Sequence, residues 1–234
     1  METALEIVEN KVLFLKKSRL FERATDELVT SCEHYFVQKT YRKGSILFEQ
    51  GDAARTVYLI KRGRVRIARH TADGKVVTFS ILGPGDIFGE EVVFSQVLRT
   101  TVAACLEDSL LCMARASDLF GLFTRNPILS LNVAKYLREQ LDEALNISED
   151  VAYLKVSDRI LRLLERLAVE HGKPVEGGTL LDVRLTRAET ASLIGSTRET
   201  VSAQFAQLIR TGKIRLQGKA IVLLDAAPDG SRTA

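Results

Sequence analysis

Between Pro127 and Gly172 the chain has neither glycine nor proline, and this uninterrupted stretch constrains the fold more than any other feature. Its apolar side chains recur at alternating steps of four and three residues, which is the spacing of one face of a helix. Heptads of this kind with charged flanks favour a helix that pairs with a second copy of itself over one that packs only on its own β-domain. We assign the seam of this homodimer to Val133, Leu137, Leu141, Ala144, Ile147 and Val151.

A second helix is predicted in the same stretch, from about Ser157 to Leu167. The glycine- and proline-rich residues 171–178, HGKPVEGG, are expected to break it.

Residues 35–115 have a different texture, because short apolar segments alternate with Gly, Asp and Pro. The segments at 57–60, 65–67 and 76–79 combine strand length with β-branched and aromatic side chains. Ala72-Asp73-Gly74 predicts a hairpin turn, since Asp-Gly tolerates the positive φ that such turns need. Many short strands at this spacing indicate a sandwich, barrel or jelly roll. A helical segment up to about residue 33 precedes them.

Composition limits the class of protein. Apolar residues make up 46% and charged residues 27% of the 234 positions, a balance typical of globular chains. No apolar run approaches the roughly 20 residues of a membrane span. The acidic first residues, METALEIVEN, lack the basic region of a secretory signal. We therefore expect a cytoplasmic protein without a membrane segment.

The positions of cysteine and histidine argue against a metal or haem site. Cys32, Cys105 and Cys112 are widely spaced and form no CxxC pair, and the three histidines are scattered. We predict buried or idle thiols. No nucleophile, base and orienting group converge in the sequence, so an enzyme is not expected.

Residues 186–223 predict two short helices, a tight turn and a β-hairpin. Thr186 and Glu189 have the spacing of a capping box that opens the first helix, and Gly195 suits the turn because glycine tolerates positive φ. The apolar face of the second helix consists of Val201, Phe205, Leu208 and Ile209. Such a helix-turn-helix places its second helix in the major groove of DNA, and the hairpin forms a wing.

The charge of this segment fits a surface that faces phosphates, because residues 184–219 carry seven Lys and Arg against two Asp and Glu. We assign base reading to Arg198, Glu199 and Ser202, since arginine can donate twice to guanine and a carboxylate can accept from cytosine. Phosphate contacts are assigned to Thr186, Arg187, Thr197, Lys213 and Lys219. The alternative for Glu199 is structural, because Ser196 and Glu199 also have capping-box spacing.

These features together resemble the cyclic-AMP receptor protein superfamily of bacterial regulators, the CRP/FNR type. The resemblance covers nearly the whole chain. It rests on GSTRETVS at 195–202, VAYLKVSDRI at 151–160, GPGDIFGEE at 83–91 and RTT at 99–101.

The resemblance implies an α+β fold in three parts. These are an N-terminal β-roll (jelly roll) of the cyclic-nucleotide-binding type in residues 1–125, a long dimerisation helix in 126–155, and a C-terminal winged helix-turn-helix in 156–234. It also implies double-stranded DNA and RNA polymerase as partners.

An effector site is expected in the β-roll. Residues 85–90 are interpreted as a tight turn leading into one helical turn, whose free N–H groups can bind an anion. Arg99 offers a fork for a phosphate. By the resemblance we assign effector contacts to Leu82, Gly89, Glu90, Arg99 and Thr100, with cyclic AMP or a related nucleotide as the candidate ligand. The alternative is that Glu90 and Arg99 pair with each other in an empty roll.

Some positions depart from the family pattern. Ala144 and Leu145 lie where cyclic-AMP receptor proteins hydrogen-bond adenine, and neither side chain can do so. Ala203 replaces a polar reader of the recognition helix. Glu91 stands where a haem-bearing member has histidine, so haem is not expected. Three hypotheses stay open: an effector-responsive dimeric regulator, an effector-independent regulator controlled by its abundance, and a cyclic-nucleotide sensor that acts through protein partners.

Overall fold

The β-rich and helix-rich stretches of the sequence fold as expected in a computed structural model, which describes residues 4–71, 76–94, 98–181, 185–218 and 220–225. Contacts divide the chain into two units, Met1–Glu143 and Ala144–Ala234. This division lies inside the long helix, whereas the sequence placed functional boundaries after residues 125 and 155. Those functional boundaries stay a prediction.

The first unit contains the strands of the β-roll and the helices around it. Its helices are α1 (Ala4–Lys17), α2 (Asp26–Cys32), α3 (Glu91–Phe94), α4 (Ala116–Arg125) and the first part of α5 (Pro127–Tyr153), with 3-10 turns at Arg19–Phe21 and Glu33–Tyr35. Its strands are β1 (Val37–Tyr41), β2 (Ile46–Phe48), β3 (Thr56–Arg62), β4 (Val65–His70), β5 (Val76–Leu82), β6 (Ile87–Phe88), β7 (Val102–Cys105) and β8 (Ser109–Arg115). The predicted N-terminal helical segment and the three predicted strands are confirmed. The predicted turn at 72–74 lies outside the described residues.

The strands of this unit pair into two antiparallel sheets with the orders β1-β8-β3-β6 and β2-β7-β4-β5. An apolar cluster that includes Phe48, Tyr58 and Phe88 is buried among these strands. A second cluster joins the helices to the first sheet and includes Leu59, Leu119 and Val133. This arrangement confirms the predicted β-roll.

All three cysteines are buried as free thiols, as predicted. Burial raises the pKa of Cys32, Cys105 and Cys112 above that of a solvent-exposed thiol. A raised pKa keeps each sulfur protonated and unreactive.

The second unit contains the rest of α5 and the helix-turn-helix. Its other elements are α6 (Val156–His171), β9 (Gly172–Val175), β10 (Gly178–Leu181), α7 (Arg187–Leu193), α8 (Arg198–Arg210), β11 (Ile214–Gln217) and β12 (Ala220–Leu224). The four strands form one antiparallel sheet in the order β11-β12-β10-β9. Its core packs α6, α7 and α8 around Ile160, Val201 and Phe205, all at most 1% exposed.

The segment 171–178 does more than end α6 at His171, because residues 172–181 form the β9–β10 hairpin. Gly177 supplies a positive φ of 75° at the turn. Pro174 lies on β9, the edge strand, where a missing N–H removes no ladder hydrogen bond. This hairpin was not predicted, because its glycines and proline are also typical of a loop.

Among the described residues, none of the helices combines the length and the apolar character that crossing a bilayer requires.

Candidate nucleic-acid interface and effector site

The first helix of the helix-turn-helix begins with the predicted capping box. The Thr186 hydroxyl accepts from the Glu189 N–H at 3.1 Å, and the Glu189 carboxylate accepts from the Thr186 N–H at 2.7 Å. Both bonds satisfy N–H groups that a helix start leaves without a partner. The box fixes where α7 begins, and the turn at Gly195, with φ of 63°, follows its end.

The N-cap of α8 is Thr197 and not Ser196. The Thr197 hydroxyl accepts from the Thr200 N–H at 3.2 Å, and the two threonine hydroxyls lie 2.8 Å apart. The alternative capping box of Ser196 with Glu199 is therefore wrong. Glu199 is exposed on the first turn of α8, where its negative charge interacts favourably with the positive end of the helix dipole.

The two faces of α8 differ sharply in burial. Val201, Phe205 and Leu208 are at most 4% exposed, whereas Arg198, Glu199, Ser202 and Ala203 are exposed. The Ser202 hydroxyl donates to the Arg198 carbonyl at 2.8 Å, which leaves its oxygen free to accept. Ile209, which the sequence placed on the apolar face, is 39% exposed. Because one face of α8 is buried in the core, the opposite face of the helix is exposed to solvent.

The predicted phosphate contacts are not equally available. Thr186, Thr197 and Lys213 are exposed, and Lys219 lies outside the described residues. The guanidinium of Arg187 lies 3.5 Å from the centre of the Phe205 ring, and burial lowers its pKa. This cation–π contact gives Arg187 a packing role that competes with a phosphate contact.

In the β-roll, Arg99 lies at the centre of the predicted effector site but is already engaged. Its guanidinium donates to the Glu91 carboxylate at 2.5 Å, to the Gly89 carbonyl at 3.2 Å and to the Thr56 carbonyl. The side chain is only 2% exposed, and Phe48 stacks against it, with 4.1 Å from the guanidinium carbon to the ring centre. The predicted alternative named Glu90 as the partner of Arg99, and the partner in the ion pair is Glu91.

Glu90 is the titratable group of this site. Burial raises the pKa of its carboxyl to about 7; the Glu91 charge acts in the same direction and Arg99 opposes it. Burial also raises the pKa of the Tyr136 phenol on α5, and the negative charge of Glu90 acts in the same direction. A carboxyl in this environment exchanges its proton near neutral pH.

The other predicted effector residues have different surroundings. Gly89 has a φ of 77°, and a Cβ there would lie 2.8 Å from an Arg99 nitrogen, so only glycine fits. Leu82 is buried in the apolar core of the roll, 5% exposed. Thr100 is exposed, and its carbonyl accepts from the Arg69 side chain at 3.1 Å. Phe48 and Thr56 were not predicted at this site, because they lie over 40 positions from Arg99 along the chain.

A cavity of about 330 Å³ opens beside Arg99. It is lined by Leu47, Phe48, Asp52, Ala53, Arg55, Thr56, Tyr58 and Arg99. Of the five predicted effector residues, all described by the structure, Arg99 alone lines this cavity. Elsewhere in the described ranges no three His, Cys, Asp or Glu residues lie close enough together to hold a metal ion.

The predicted dimer seam needs one correction. Val133 is 1% exposed and packs in the core of the first unit with Leu129 and Tyr136, so it is not available to a second chain. Leu137 and Leu141 are exposed by 38% and 53%; further along α5, Ala144 and Val151 are exposed and Ile147 is half-buried. Leu145 is also exposed. An exposed apolar stripe therefore starts at Leu137, about one turn later than predicted.

Comparison with known proteins agrees with both parts of the architecture. A family described as cyclic nucleotide-binding domain matches residues 38–126, and one described as Crp-like helix-turn-helix domain matches residues 158–227. The cyclic AMP receptor protein of Thermus thermophilus is 31% identical over 213 residues, which cover 91% of this chain and 95% of that protein. The chain belongs to the CRP/FNR superfamily.

Other members of the CRP/FNR superfamily are similar over comparable lengths. The CRP-like cAMP-activated global transcriptional regulator of Mycobacterium tuberculosis is 26% identical over 212 residues, covering 91% of this chain and 95% of that protein. The structure of a CooA variant from Carboxydothermus hydrogenoformans has a TM-score of 0.72 at 26% identity and covers 92% of both chains. The Mycobacterium relative is named as a global transcriptional regulator. The chain is thus a DNA-binding transcription regulator of the CRP/FNR superfamily.

Proposed function

We propose that this CRP/FNR regulator acts as a homodimer that reads a pseudo-palindromic DNA site through α8. One observation carries the proposal: the first turns of α8 expose Arg198, Glu199 and Ser202 while the opposite face is buried. A recognition helix reads base edges with its N-terminal residues, which is where these three side chains lie.

Each reading residue has a definite chemical role in this proposal. The Arg198 fork donates two hydrogen bonds to O6 and N7 of a guanine, and the Glu199 carboxylate accepts from N4 of a cytosine. Each such contact contributes about 1–3 kcal/mol of discrimination against the wrong base pair. Ala203 adds no polar contact, so base recognition concentrates in the first turns of α8.

The exposed apolar stripe of α5 supports the proposed dimer. Leu137, Leu141, Ala144, Ile147 and Val151 form the proposed seam. A two-fold axis along this seam gives two copies of α8, and such dimers bind half-sites about one helical turn, roughly 34 Å, apart. Membership of the superfamily supports RNA polymerase as the further partner and the cytoplasm as the location.

The β-roll is proposed to bind an anionic effector through Arg99 and Glu90. Cyclic AMP is the first candidate, because the Thermus and Mycobacterium relatives are named for it. The ion pair of Arg99 with Glu91 supports a second candidate function, that of a regulator of the same fold that works without an effector. In that case Glu91 neutralises Arg99 permanently, and Ala144 and Leu145 have no base to contact.

The test combines selection of DNA with titration of ligand. Full-length protein selects duplexes from a randomised library, and mobility shifts then compare the selected duplex without nucleotide, with cyclic AMP and with cyclic GMP. We expect a two-fold symmetric consensus that Arg198→Ala no longer prefers. An unchanged preference in Arg198→Ala contradicts base reading, and a shift that neither nucleotide changes supports the effector-independent form.

A further inference from the structure

The turn that precedes the reading helix is held by an arginine from another helix. Arg159, on α6, donates from one guanidinium nitrogen to the Ile194 carbonyl at 2.6 Å and to the Gly195 carbonyl at 3.3 Å. The last carbonyls of a helix lack partners within the helix and carry the negative end of its dipole. A guanidinium at the end of α7 satisfies both demands with charge-assisted hydrogen bonds.

The contact of Arg159 with Ile194 and Gly195 lies just before the proposed base-reading residues in the sequence. Gly195 is followed by Ser196, by the N-cap Thr197 and then by Arg198. The Ser196 N–H donates to the Ala191 carbonyl at 2.9 Å, and Gly195 itself has no side chain with which to anchor the turn. The two carbonyls that Arg159 holds therefore lie directly before the N-terminal residues of α8.

The packing around the turn leaves little freedom. A Cβ at Gly195 would lie 3.3 Å from a methyl carbon of Val151 and 3.7 Å from the Arg159 guanidinium. Val151, which the sequence assigned to the dimer seam, thus lies close to this turn within its own unit. Arg162, three residues further along α6, pairs instead with Asp150 at 2.5 Å.

We propose that Arg159 is a positioning residue for base recognition, which sets the turn from which α8 starts without itself contacting DNA. The inference rests on the proposed base-reading role of Arg198. In this proposal Arg159 contributes to the affinity for specific DNA sites. It does not contribute to the attraction between the protein and the phosphate backbone.

The experiment uses the full chain and the duplex selected above, beside a duplex of unrelated sequence. Arg159→Met should weaken binding to the selected duplex about tenfold, the loss expected for a charge-assisted bond, and binding to the unrelated duplex by less than about twofold. The dependence of affinity on salt should stay the same, whereas losing a phosphate contact lowers its slope by about one. Arg159→Lys, which keeps the charge, should lose about threefold.

Amide exchange in the free protein reports on the turn without DNA. In Arg159→Met the amides of Ser196 and Thr197 should exchange faster, while those in the middle of α8 stay protected. Arg162→Met is the matched control, an arginine of the same helix whose loss should leave the turn amides and the ratio of specific to unspecific affinity unchanged.

Several results would overturn the inference. These are an equal loss on both duplexes, a reduced salt slope, the same effect in Arg162→Met, or unchanged affinity and exchange in Arg159→Met. If Arg159→Met does not fold, Arg159→Lys decides by the same two readings. The reference variant Arg198→Ala distinguishes failure of the proposed base reading from failure of the positioning role. If Arg198→Ala keeps its affinity for the selected duplex, the proposed base reading fails. If Arg198→Ala loses that affinity while Arg159→Met does not, only the positioning role fails.

Discussion

The Arg99 guanidinium and the Glu91 carboxylate form an ion pair of 2.5 Å inside the β-roll. The arginine is almost fully buried, whereas Glu91 is 39% exposed. An anionic effector that reaches Arg99 must therefore compete with a neighbouring carboxylate from α3. In the proposed effector site, Glu91 would therefore lower the affinity of Arg99 for an anion.

Replacing Glu91 by glutamine should strengthen nucleotide binding. The amide keeps the shape of the side chain but removes the competing charge, so we expect cyclic AMP affinity to rise about tenfold, which corresponds to about 1.4 kcal/mol. Calorimetric titration of wild type and Glu91→Gln with cyclic AMP and cyclic GMP measures this. Glu107→Gln, which removes a carboxylate 3.9 Å from Arg64, is the control. Weaker binding in Glu91→Gln contradicts the competition.

The raised pKa of Glu90 predicts how stability depends on pH. The carboxyl titrates at about 7 in the folded protein and at 4.5 as its ordinary value. Between these values the folded state holds a proton that the unfolded state has released, so stability is fully present below pH 4.5 and falls as pH rises toward 7. The expected loss is about 2 kcal/mol, less than the full shift would give because the Glu90 side chain keeps some contact with solvent.

Urea unfolding from pH 4 to pH 8 checks this dependence. Glu90→Gln cannot ionise, so its free energy of unfolding should lack the decline that the wild type shows. Tyr136 also interacts electrostatically with Glu90, and burial raises the pKa of its phenol, so Tyr136 stays neutral throughout this range. Parallel pH curves for the two proteins would show that another group is responsible.

Local signals explain why the DNA-binding unit could be predicted from the sequence. The capping box, the turn at Gly195 and the paired strands of the wing each depend on residues within a few positions of one another, and each is found in the structure. The alternative cap at Ser196 was open in the sequence because Ser196 and Thr197 are both good caps. Where α7 ends decides between them, and the sequence does not fix that point.

Long-range contacts explain what the sequence did not predict. Arg99 meets Thr56, 43 positions earlier in the chain, and no local pattern indicates that contact. Val133 fits the heptad of α5 as well as Leu137 does. Only the packing of the first unit shows that Val133 faces its own core.

The cap assignment gives a prediction that compares adjacent residues. Thr197→Ala removes the hydroxyl that accepts from Thr200 and should lower the free energy of unfolding by about 1 kcal/mol. Ser196→Ala should change it by less than about 0.5 kcal/mol, since surface substitutions without a cap role cost little. Thermal unfolding of the two variants measures the difference. A larger loss in Ser196→Ala than in Thr197→Ala would move the cap to Ser196.

The corrected seam predicts that substitutions at Leu141 and at Val133 have different effects, one on the dimer and the other on the stability of the first unit. Leu141→Glu puts a charge into the proposed apolar interface, and we expect dimer dissociation to become easier by about 3 kcal/mol, roughly a hundredfold. Val133→Ala should instead destabilise the first unit by about 2 kcal/mol, the cost of a cavity, without changing the dimer. Sedimentation over a range of concentrations separates these effects. Asn146→Glu adds the same charge to another exposed side of α5 and should leave the dimer intact; a monomer there, or a dimer in Leu141→Glu, would place the interface elsewhere on the chain.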